Sequence, residues 1–457
     1  MFRTPKCLAG LLLVGGMMAG AGRVAGKGDE KALDLDPLLG GAGVWEMSDE
    51  EFAKDYIKEN AFASFEWVSS SKSSARLQHL SQWRTTSPDG TSNRLTPTIG
   101  QGEHEVGEVI VRFKDHRMNR VEISIYNRGD DGESTQEIYK SQLEAITAFL
   151  DENLSVRREA RKASGKTKTH GLLWKTAQSY YLLEYSYTKP DRSTNFQFRP
   201  EFIILKVAPP PAGGGLAVPE RRMKTRGDLE EEVVREENGD VVIKTVPMVD
   251  QGQKGYCAVA SAERVMRYYG VDVNQHEMAQ ISNTSWGGTS GKVMSKALGQ
   301  AAGKYHTRVL TLFEFEDIEE MEAVARSYNQ LAKKRDKPEF DLKNYYIPIS
   351  QLLTEGDPKL LKEVRASGTK YSRFQSKLYS YIDDGVPVLW ALYLGVFKEE
   401  GLPQSGGGHM RIIIGYNKLT QELIYTDSWG AGHEMKRMKM DEAYTMTMQL
   451  TILQPAR

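Results

Sequence analysis

A break in composition divides the chain into two parts. The segment Ala208–Gly215 reads Ala-Pro-Pro-Pro-Ala-Gly-Gly-Gly. Its prolines stiffen the chain and its glycines make the next few residues flexible, so the segment marks a boundary between folded parts. At 457 residues the chain is long enough for two or three domains, each with its own core. We therefore predict a folded part on each side of a Pro/Gly and basic linker over residues 208–226.

The first residues resemble an export signal. Arg3 and Lys6 precede the apolar, small-residue stretch Leu8–Ala19, and Ala19-Gly-Ala or Val24-Ala-Gly could be the cleavage site. A membrane anchor would need about 20 apolar residues, and no later stretch is long enough either. The sequence thus predicts a signal peptide over residues 1–26, a secreted or periplasmic location, and no membrane span in the mature chain.

The N-terminal part is predicted to be a separate α+β domain over residues 45–207, after a mobile lead-in over residues 27–44. A capping box, Ser48-Asp-Glu-Glu51, indicates a short helix, and spaced apolar residues indicate a longer helix over Gln136–Leu154. Alternating apolar residues predict strands, which we place at Glu105–Phe113, Asn119–Tyr126, Tyr180–Tyr187 and Glu201–Val207.

No catalytic constellation is visible in this N-terminal part. Its histidines lack the spacing of metal ligands; they are His79, His104, His116 and His170. The net charge of −1 gives no reason to expect a nucleic-acid partner. Two roles stay open: docking of an envelope component or protein target, and covering of the C-terminal part in a way that restrains it.

A glycine-rich loop delivers a cysteine to the start of a predicted helix in the segment Gln251–Gly270. Apolar residues recur there at helical spacing, and Gly270 supplies a left-handed stop. Cys257 falls in the first turn, where free N–H groups and the helix dipole favour an anion and hence a thiolate. The alternative is a small buried residue. Because Cys7 would leave with the signal, Cys257 would be the only thiol of the mature chain, and no internal disulfide can form.

Two further residues suit the chemistry of a nucleophilic thiol. His409 stands at the start of the predicted strand Met410–Tyr416, and Asp427 ends the next predicted strand. The hairpin between the strands can bring both together, so that the imidazole takes the thiol proton and the carboxylate fixes its tautomer. A structural histidine at a strand edge is the alternative. The rival bases are His276, His306 and His433.

These segments resemble the papain-like cysteine peptidases. Gln251, followed after five intervening residues by Cys257-Ala-Val-Ala-Ser, is similar to their active-site segment, and Tyr268-Tyr-Gly resembles the bacteriocin-processing (double-glycine) branch. The resemblance resumes at Gly408–Tyr416 and at Tyr425–Gly430, and extends over residues 246–457. The order Gln, Cys, His, Asp matches that clan.

The resemblance implies an α+β catalytic domain over residues 227–457, with the cysteine on an N-terminal helix and the histidine and aspartate on an antiparallel sheet. It implies an oxyanion role for Gln251, with Gln253 the nearby alternative. Asp427 stands where papain has asparagine and follows the bacteriocin-processing branch instead. Trp429 would shield the His–Asp contact. The charged section Phe313–Gly385 is longer than a minimal core needs and is predicted to be an insertion that shapes the cleft or binds a partner.

Substrate contacts are also implied. Papain-like enzymes hold the substrate backbone with a glycine pair, a role that Gly287 and Gly288 could share with Trp429, although a plain loop is equally consistent with the sequence. The expected function is an exported cysteine peptidase that acts on a peptide or protein through a thioester, without metal or organic cofactor. A cell-wall amidase, a transglutaminase-like enzyme and an inactive binding protein are the alternatives. Cleavage of the exposed linker near Met223 could release the C-terminal part.

Overall fold

The computed structural model describes most of the chain. The described residues are 31–41, 43–57, 65–77, 95–164, 169–189, 197–211, 223–252, 255–271, 273, 275–284, 291–301, 306–315, 318–342, 347–400, 402 and 406–455. The predicted signal peptide and most of the predicted linker lie outside them. Among the helices of the described ranges, none has both the length and the apolarity needed to cross a membrane.

The N-terminal part combines strands with helices. The strands are β1 (Lys31–Asp34), β2 (Glu66–Trp67), β3 (Ser74–Leu77), β4 (Leu95–Ile99), β5 (His104–Glu105), β6 (Val109–Lys114), β7 (Arg117–Asn127), β8 (Glu159–Ser164), β9 (Thr169–Lys175), β10 (Tyr180–Thr188) and β11 (Arg199–Ala208). The helices are α1 (Asp49–Tyr56), α2 (Arg128–Asp131) and α3 (Gln136–Leu154).

Eight of these strands form one antiparallel sheet, in the order β2-β3-β6-β7-β11-β10-β9-β8. Helix α3 packs on it through Tyr139, Ile146 and Leu150, all of them buried. The capping box predicted at Ser48–Glu51 is present and opens α1. The predicted strand over Glu105–Phe113 is instead two strands, because β5 pairs with β4 in a separate three-stranded sheet whereas β6 pairs with β3 and β7.

Part of the predicted lead-in belongs to the N-terminal core, which corrects the prediction of a mobile segment up to residue 44. Strand β1 pairs in parallel with β4, and the side chains of Leu35 and Leu38 are fully buried. The acidic and glycine-rich neighbours of these leucines obscured the apolar pattern. Burial of two leucine side chains stabilises the segment by about 3–6 kcal/mol, which favours order over mobility.

The C-terminal part has nine helices and eight strands among its described residues. The helices are α4 (Arg226–Glu230), α5 (Cys257–Tyr268), α6 (Gln275–Ser282), α7 (Gly291–Ala301), α8 (Ile318–Lys334), α9 (Ile349–Glu355), α10 (Pro358–Arg365), α11 (Gly368–Asp383) and α12 (Met440–Met446). The strands are β12 (Val233–Arg235), β13 (Asp240–Ile243), β14 (Thr307–Glu314), β15 (Val388–Leu394), β16 (Gly407–Asn417), β17 (Glu422–Thr426), β18 (Lys436–Lys439) and β19 (Thr447–Pro455).

These strands form a second antiparallel sheet, in the order β12-β13-β16-β15-β19-β14, with β17 and β18 continuing from β16. Helix α5 packs against β16. This confirms the predicted fold class, an α+β architecture with a helix and an antiparallel sheet. The two sheets have separate apolar cores.

The section predicted as an insertion, Phe313–Gly385, is helical, as its pattern indicates. Its helices α8 to α11 pack into the same core as the sheet. The buried guanidinium of Arg365, in α10, donates to the carbonyl oxygens of Thr445 and Thr447 and lies 4.4 Å from the ring centroid of Phe315. This section is therefore an integral part of the C-terminal core, whereas a partner-binding role for it stays a prediction.

Candidate active site

Cys257 is the first residue of helix α5, as its sequence predicts. Tyr256 is the N-cap residue and its side chain caps no N–H of the helix, so the first-turn N–H groups have no cap from the N-cap side chain. Gly270 has φ +87, the left-handed stop that the sequence indicates. The helix buries Ala258, Ala262 and Val265 against the sheet, and this burial fixes the position of the Cys257 Cα.

His409 lies within β16 rather than at its start, because β16 begins two residues earlier and pairs with β15, His409 opposite Leu392. Its ring is buried, with 7 % of the residue exposed. Nε2 lies 2.7 Å from Oδ1 of Asp427. The Cys257 side chain lies close enough to the same ring to contribute to its raised pKa. Because Nε2 is hydrogen-bonded to Asp427, Nδ1 is the ring nitrogen available to Cys257.

Asp427 directly follows β17 and is fully buried. Its Oδ1 accepts from the His409 ring and from the Ser428 N–H at 2.8 Å, and its Oδ2 accepts from Nε of Arg411 at 2.8 Å. The peptide carbonyl of Asp427 accepts from the buried guanidinium of Arg264, on α5, at 2.7 Å. A carboxylate held by this many donors stays charged and keeps its orientation.

The charges of the His409–Asp427 pair reinforce each other. Burial alone would lower the pKa of His409, but the Asp427 carboxylate, with smaller contributions from Cys257, raises that pKa to about 9. Burial likewise disfavours the Asp427 carboxylate, yet His409 and Arg411 lower its pKa to about 2. At neutral pH the imidazole is therefore the imidazolium, the form that pairs with a thiolate.

Trp429 covers this pair, as the sequence predicts. Its ring stacks on the His409 ring with centroids 4.6 Å apart and planes 25° apart. An indole face over an imidazolium gives a cation–π contact and keeps water away from the imidazole. Trp429 also makes a T-shaped contact with the His433 ring, with 5.7 Å between centroids.

Gln251 is bound to the Asp427–Trp429 segment. Its N–H donates to the Ser428 carbonyl oxygen at 2.9 Å, and its Oε1 accepts from Ser428 Oγ at 2.8 Å. The second bond orients the amide, because Oε1 is the accepting end and Nε2 the donating end. Gln251 is nearly buried, with 7 % exposed. The structure thus brings the predicted oxyanion donor and the His–Asp pair into one assembly.

Arg411 is a site residue that the sequence-based prediction missed. It is fully buried, with Nε on Asp427 and NH1 on both oxygens of Glu399, at 3.1 and 2.9 Å. Tyr425 donates its hydroxyl to Glu399 and lies under the guanidinium, 4.4 Å from ring centroid to Cζ. The signal was present, since an arginine inside the apolar strand Met-Arg-Ile-Ile-Ile needs a buried partner.

The rival bases have other neighbours in the structure. His276 lies on α6 beside Glu108 of the N-terminal part, with 3.8 Å between Nε2 and Oε2. His306 is exposed, next to β14. His433 touches Trp429, and burial lowers its pKa. Gln253 and the glycine pair Gly287 and Gly288 lie outside the described residues, so the predicted substrate contact at the pair is not described.

No group of three or more metal-binding side chains occurs among the residues with described positions. The arrangement is a cysteine at the start of a helix, a histidine on a strand and an aspartate that directly follows the next strand, the groups that nucleophilic catalysis by a thiol requires. Residues 243–338 and 327–452 match the model of the Peptidase_C39 like family. The C-terminal part of this chain therefore resembles that family, which confirms the resemblance seen in the sequence.

Two solved structures are similar to this chain. The first is the peptidase domain of Streptococcus ComA, described as a bi-functional ABC transporter involved in a quorum sensing pathway; it is 13% identical over 46% of this chain and 98% of that chain, with a TM-score of 0.23. The second is xylellain, a cysteine protease from Xylella fastidiosa, 12% identical over 53% of this chain and 94% of that chain, with a TM-score of 0.27. No curated protein matches the sequence.

Proposed function

We propose that the protein is an exported cysteine peptidase in which Cys257 is the nucleophile and His409 the base and acid. The observation that carries the proposal is the His409 ring between Cys257 and Asp427, under Trp429. Export rests on the N-terminal pattern Arg3 to Gly26 in the sequence.

In the acylation step the Cys257 thiolate attacks the peptide carbonyl carbon, a C–S bond forms, and the carbonyl π electrons move to oxygen. The Cys257 N–H and Gln251 Nε2 are the donors that would stabilise this oxyanion. The intermediate then collapses, the C–N bond breaks, and the departing amine takes the proton from His409 Nδ1. The products are a thioester and a free amine.

Water completes the reaction. A water molecule attacks the thioester carbonyl carbon and gives a proton to His409, which is now neutral. The second tetrahedral intermediate then expels the Cys257 thiolate. The acid product leaves, and the imidazolium–thiolate pair is restored. Asp427 keeps Nε2 of His409 protonated throughout, so only Nδ1 exchanges protons with the substrate.

The experiment compares the alkylation of the mature protein by iodoacetamide over roughly pH 4 to 9 in the wild type and in His409→Ala. Fast labelling below neutral pH that disappears in His409→Ala supports the ion pair. Labelling that rises only near the ordinary thiol pKa of about 8.5 in both proteins contradicts it. The test is repeated after cleavage of the linker, since a covering role of the N-terminal part would hide the thiol.

A second assay identifies the reaction. The wild type is incubated with an unmodified protein and, separately, with a peptidoglycan stem peptide, with Cys257→Ser as the blank. Cleavage of the protein supports the peptidase proposal. Turnover of the stem peptide alone would replace it with a cell-wall amidase, because a thioester does not dictate its acceptor. If the wild type binds a substrate but turns over neither of them, the binding-protein alternative replaces the peptidase proposal.

A further inference from the structure

We infer that the N-terminal part positions the catalytic loop, by which we mean the described residues 250–252 and 255–257. The inference rests on the proposed function and deepens it. The loop carries both Gln251 and Cys257, and the N-terminal part contacts it at two points, one beside each residue. The family match begins at residue 243, so this support comes from a part of the chain outside the matched region.

The first contact is an ion pair next to Gln251. Arg76, on β3, is 8% exposed and its NH1 lies 3.2 Å from Oδ2 of Asp250. The Nε of Arg76 is 2.5 Å from Glu108, which holds the guanidinium in place. The other Asp250 oxygen accepts from the Gly252 N–H at 2.8 Å. Asp250 thus ties the turn that contains Gln251 to the N-terminal sheet.

The second contact lies next to Cys257. The Tyr256 ring is buried against α2, where a methyl group added at Gly129 would lie 2.4 Å from the ring Cζ. Its hydroxyl lies 3.4 Å from Oδ1 of Asn127, at the end of β7. Tyr256 is the N-cap of α5, so the packing of its ring against α2 determines where the helix starts and which way the thiol points.

Other contacts hold neighbouring segments of the site. The buried Arg128 donates to the Thr284 carbonyl oxygen, after α6, at 2.7 Å. The Ser70 N–H donates to Glu434 at 2.6 Å, and the other oxygen of Glu434 accepts from Gly432 in the turn after Trp429. The N-terminal part therefore contacts the segment after α6 and the turn after Trp429 as well as the loop itself.

The two loop contacts predict different kinetic defects. Loss of the Arg76–Asp250 pair would let Gln251 move, which weakens the oxyanion interaction but leaves the Cys257–His409 pair in place. Displacement of Tyr256 would instead move Cys257 relative to His409. Catalysis is sensitive to such shifts, since a misplacement of about 1 Å can lower the rate about 100-fold.

The first experiment uses the full mature chain with Arg76→Met and Arg76→Lys. Removal of one oxyanion donor lowers kcat about 10²–10³-fold, so for a displaced Gln251 in Arg76→Met we expect about a tenfold loss in kcat with KM changed less than about twofold. A peptide aldehyde, which forms an oxyanion on Cys257, should bind about tenfold more weakly. The iodoacetamide rate across pH should stay at the wild-type value, and Arg76→Lys should recover part of kcat.

The second experiment uses Gly129→Ala. The backbone at this position is helical and accepts alanine, so the effect reports the clash with Tyr256. We expect iodoacetamide labelling at about pH 6 and kcat to fall together, by about tenfold or more. The matched control is Gly41→Ala, where an added methyl meets no atom within 4 Å. Ile146→Val serves as a control for general loosening of the N-terminal core.

The outcomes separate the inference from the proposed function. If the wild type shows neither a reactive thiol nor turnover, the proposed function fails first. If the wild type is active and both Arg76→Met and Gly129→Ala behave like Gly41→Ala and Ile146→Val, the N-terminal part does not position the loop. If Arg76→Met is unfolded at the assay temperature, Gly129→Ala decides. A defect in thermal stability with unchanged kinetics also overturns the inference.

Discussion

Arg411 and His409 share the carboxylate of Asp427, one on each oxygen, on the same face of one strand. Strand periodicity places residues two apart on one face, so this sharing follows from their spacing in β16. Glu399 holds Arg411 from the other side. The His409–Asp427 pair is therefore the end of a row of alternating charges, each with an opposite neighbour.

This row predicts the effect of Arg411→Met. The substitution leaves Asp427 and Glu399 without their shared cation, and breaking a buried pair lowers the free energy of unfolding by about 3–5 kcal/mol. Denaturant unfolding followed by fluorescence measures the loss. The matched control is Arg335→Met, which removes an exposed ion pair with Glu363. That pair should contribute at most about 1 kcal/mol, so equal losses in the two variants would contradict the role of Arg411.

Asp427→Asn should change the pH profile on its alkaline side. The carboxylate raises the pKa of His409 to about 9, so the stabilisation from the charged imidazole is complete below its ordinary pKa of about 6.5 and is lost as pH rises through about 9. Without the carboxylate the pKa of His409 should fall. We expect the alkaline limb of the kcat/KM profile to shift to a pH that is lower by at least about one unit, measured with a peptide substrate.

A control for this prediction is Asp441→Asn, which alters a carboxylate near Lys362 and away from His409. The alkaline limb of the kcat/KM profile of Asp441→Asn should remain at the wild-type pH. An unchanged limb in Asp427→Asn would mean that His409 is not the group that titrates there.

Trp429→Ala should destabilise the protonated form of His409. A cation–π contact on tryptophan is worth about 1–2 kcal/mol when it is shielded from water, so its loss should lower the pKa of His409 by about one unit. Iodoacetamide labelling as a function of pH reads this change directly. Trp429→Phe keeps a ring face on His409 and should lie between the alanine variant and the wild type. Equal profiles for all three proteins would remove Trp429 from the electrostatics of the site.

Gly415→Ala tests the sheet rather than the site. A methyl group at this position would lie 2.5 Å from the Val241 carbonyl oxygen and 3.0 Å from the Val242 Cα, so β13 and β16 must separate. We expect a loss of about 1–3 kcal/mol in the free energy of unfolding, which thermal denaturation can measure. Gly227→Ala, whose added methyl meets nothing within 4 Å, should leave stability unchanged or slightly raised. A similar midpoint for both variants would contradict the close approach.

The features that the sequence predicted well have local causes. The bounds of α3 coincide with the prediction, since a Thr135 cap and a clear apolar stripe mark it. Helix α5 and the Ser48 capping box were likewise visible in short segments. Strands β8 and β9 were missed because β8 has no large apolar residue and the apolar residues of β9, Leu172 to Trp174, are consecutive rather than alternating.

The contacts between the N-terminal and C-terminal parts had no signal in the sequence around the contacting residues. The ion pair of Arg76 with Asp250 joins residues far apart in sequence, and nothing near either of them indicates the other. The Pro/Gly segment describes the stiffness of the chain and says nothing of which surfaces fit together. Arg411 is the intermediate case, because its strand predicted burial and only the three-dimensional structure identified Asp427 and Glu399 as its partners.

The location of His409 and Asp427 links inactivation to unfolding. Strand β16 pairs with β15, β13 and β17, and Asp427 follows the last of these. Residues in a paired, buried strand lose their positions only when the whole unit opens, whereas segments that are held by few contacts open at lower free energy. The base and its carboxylate should therefore survive any local fluctuation. Heat would abolish their chemistry at the same temperature at which the sheet itself melts.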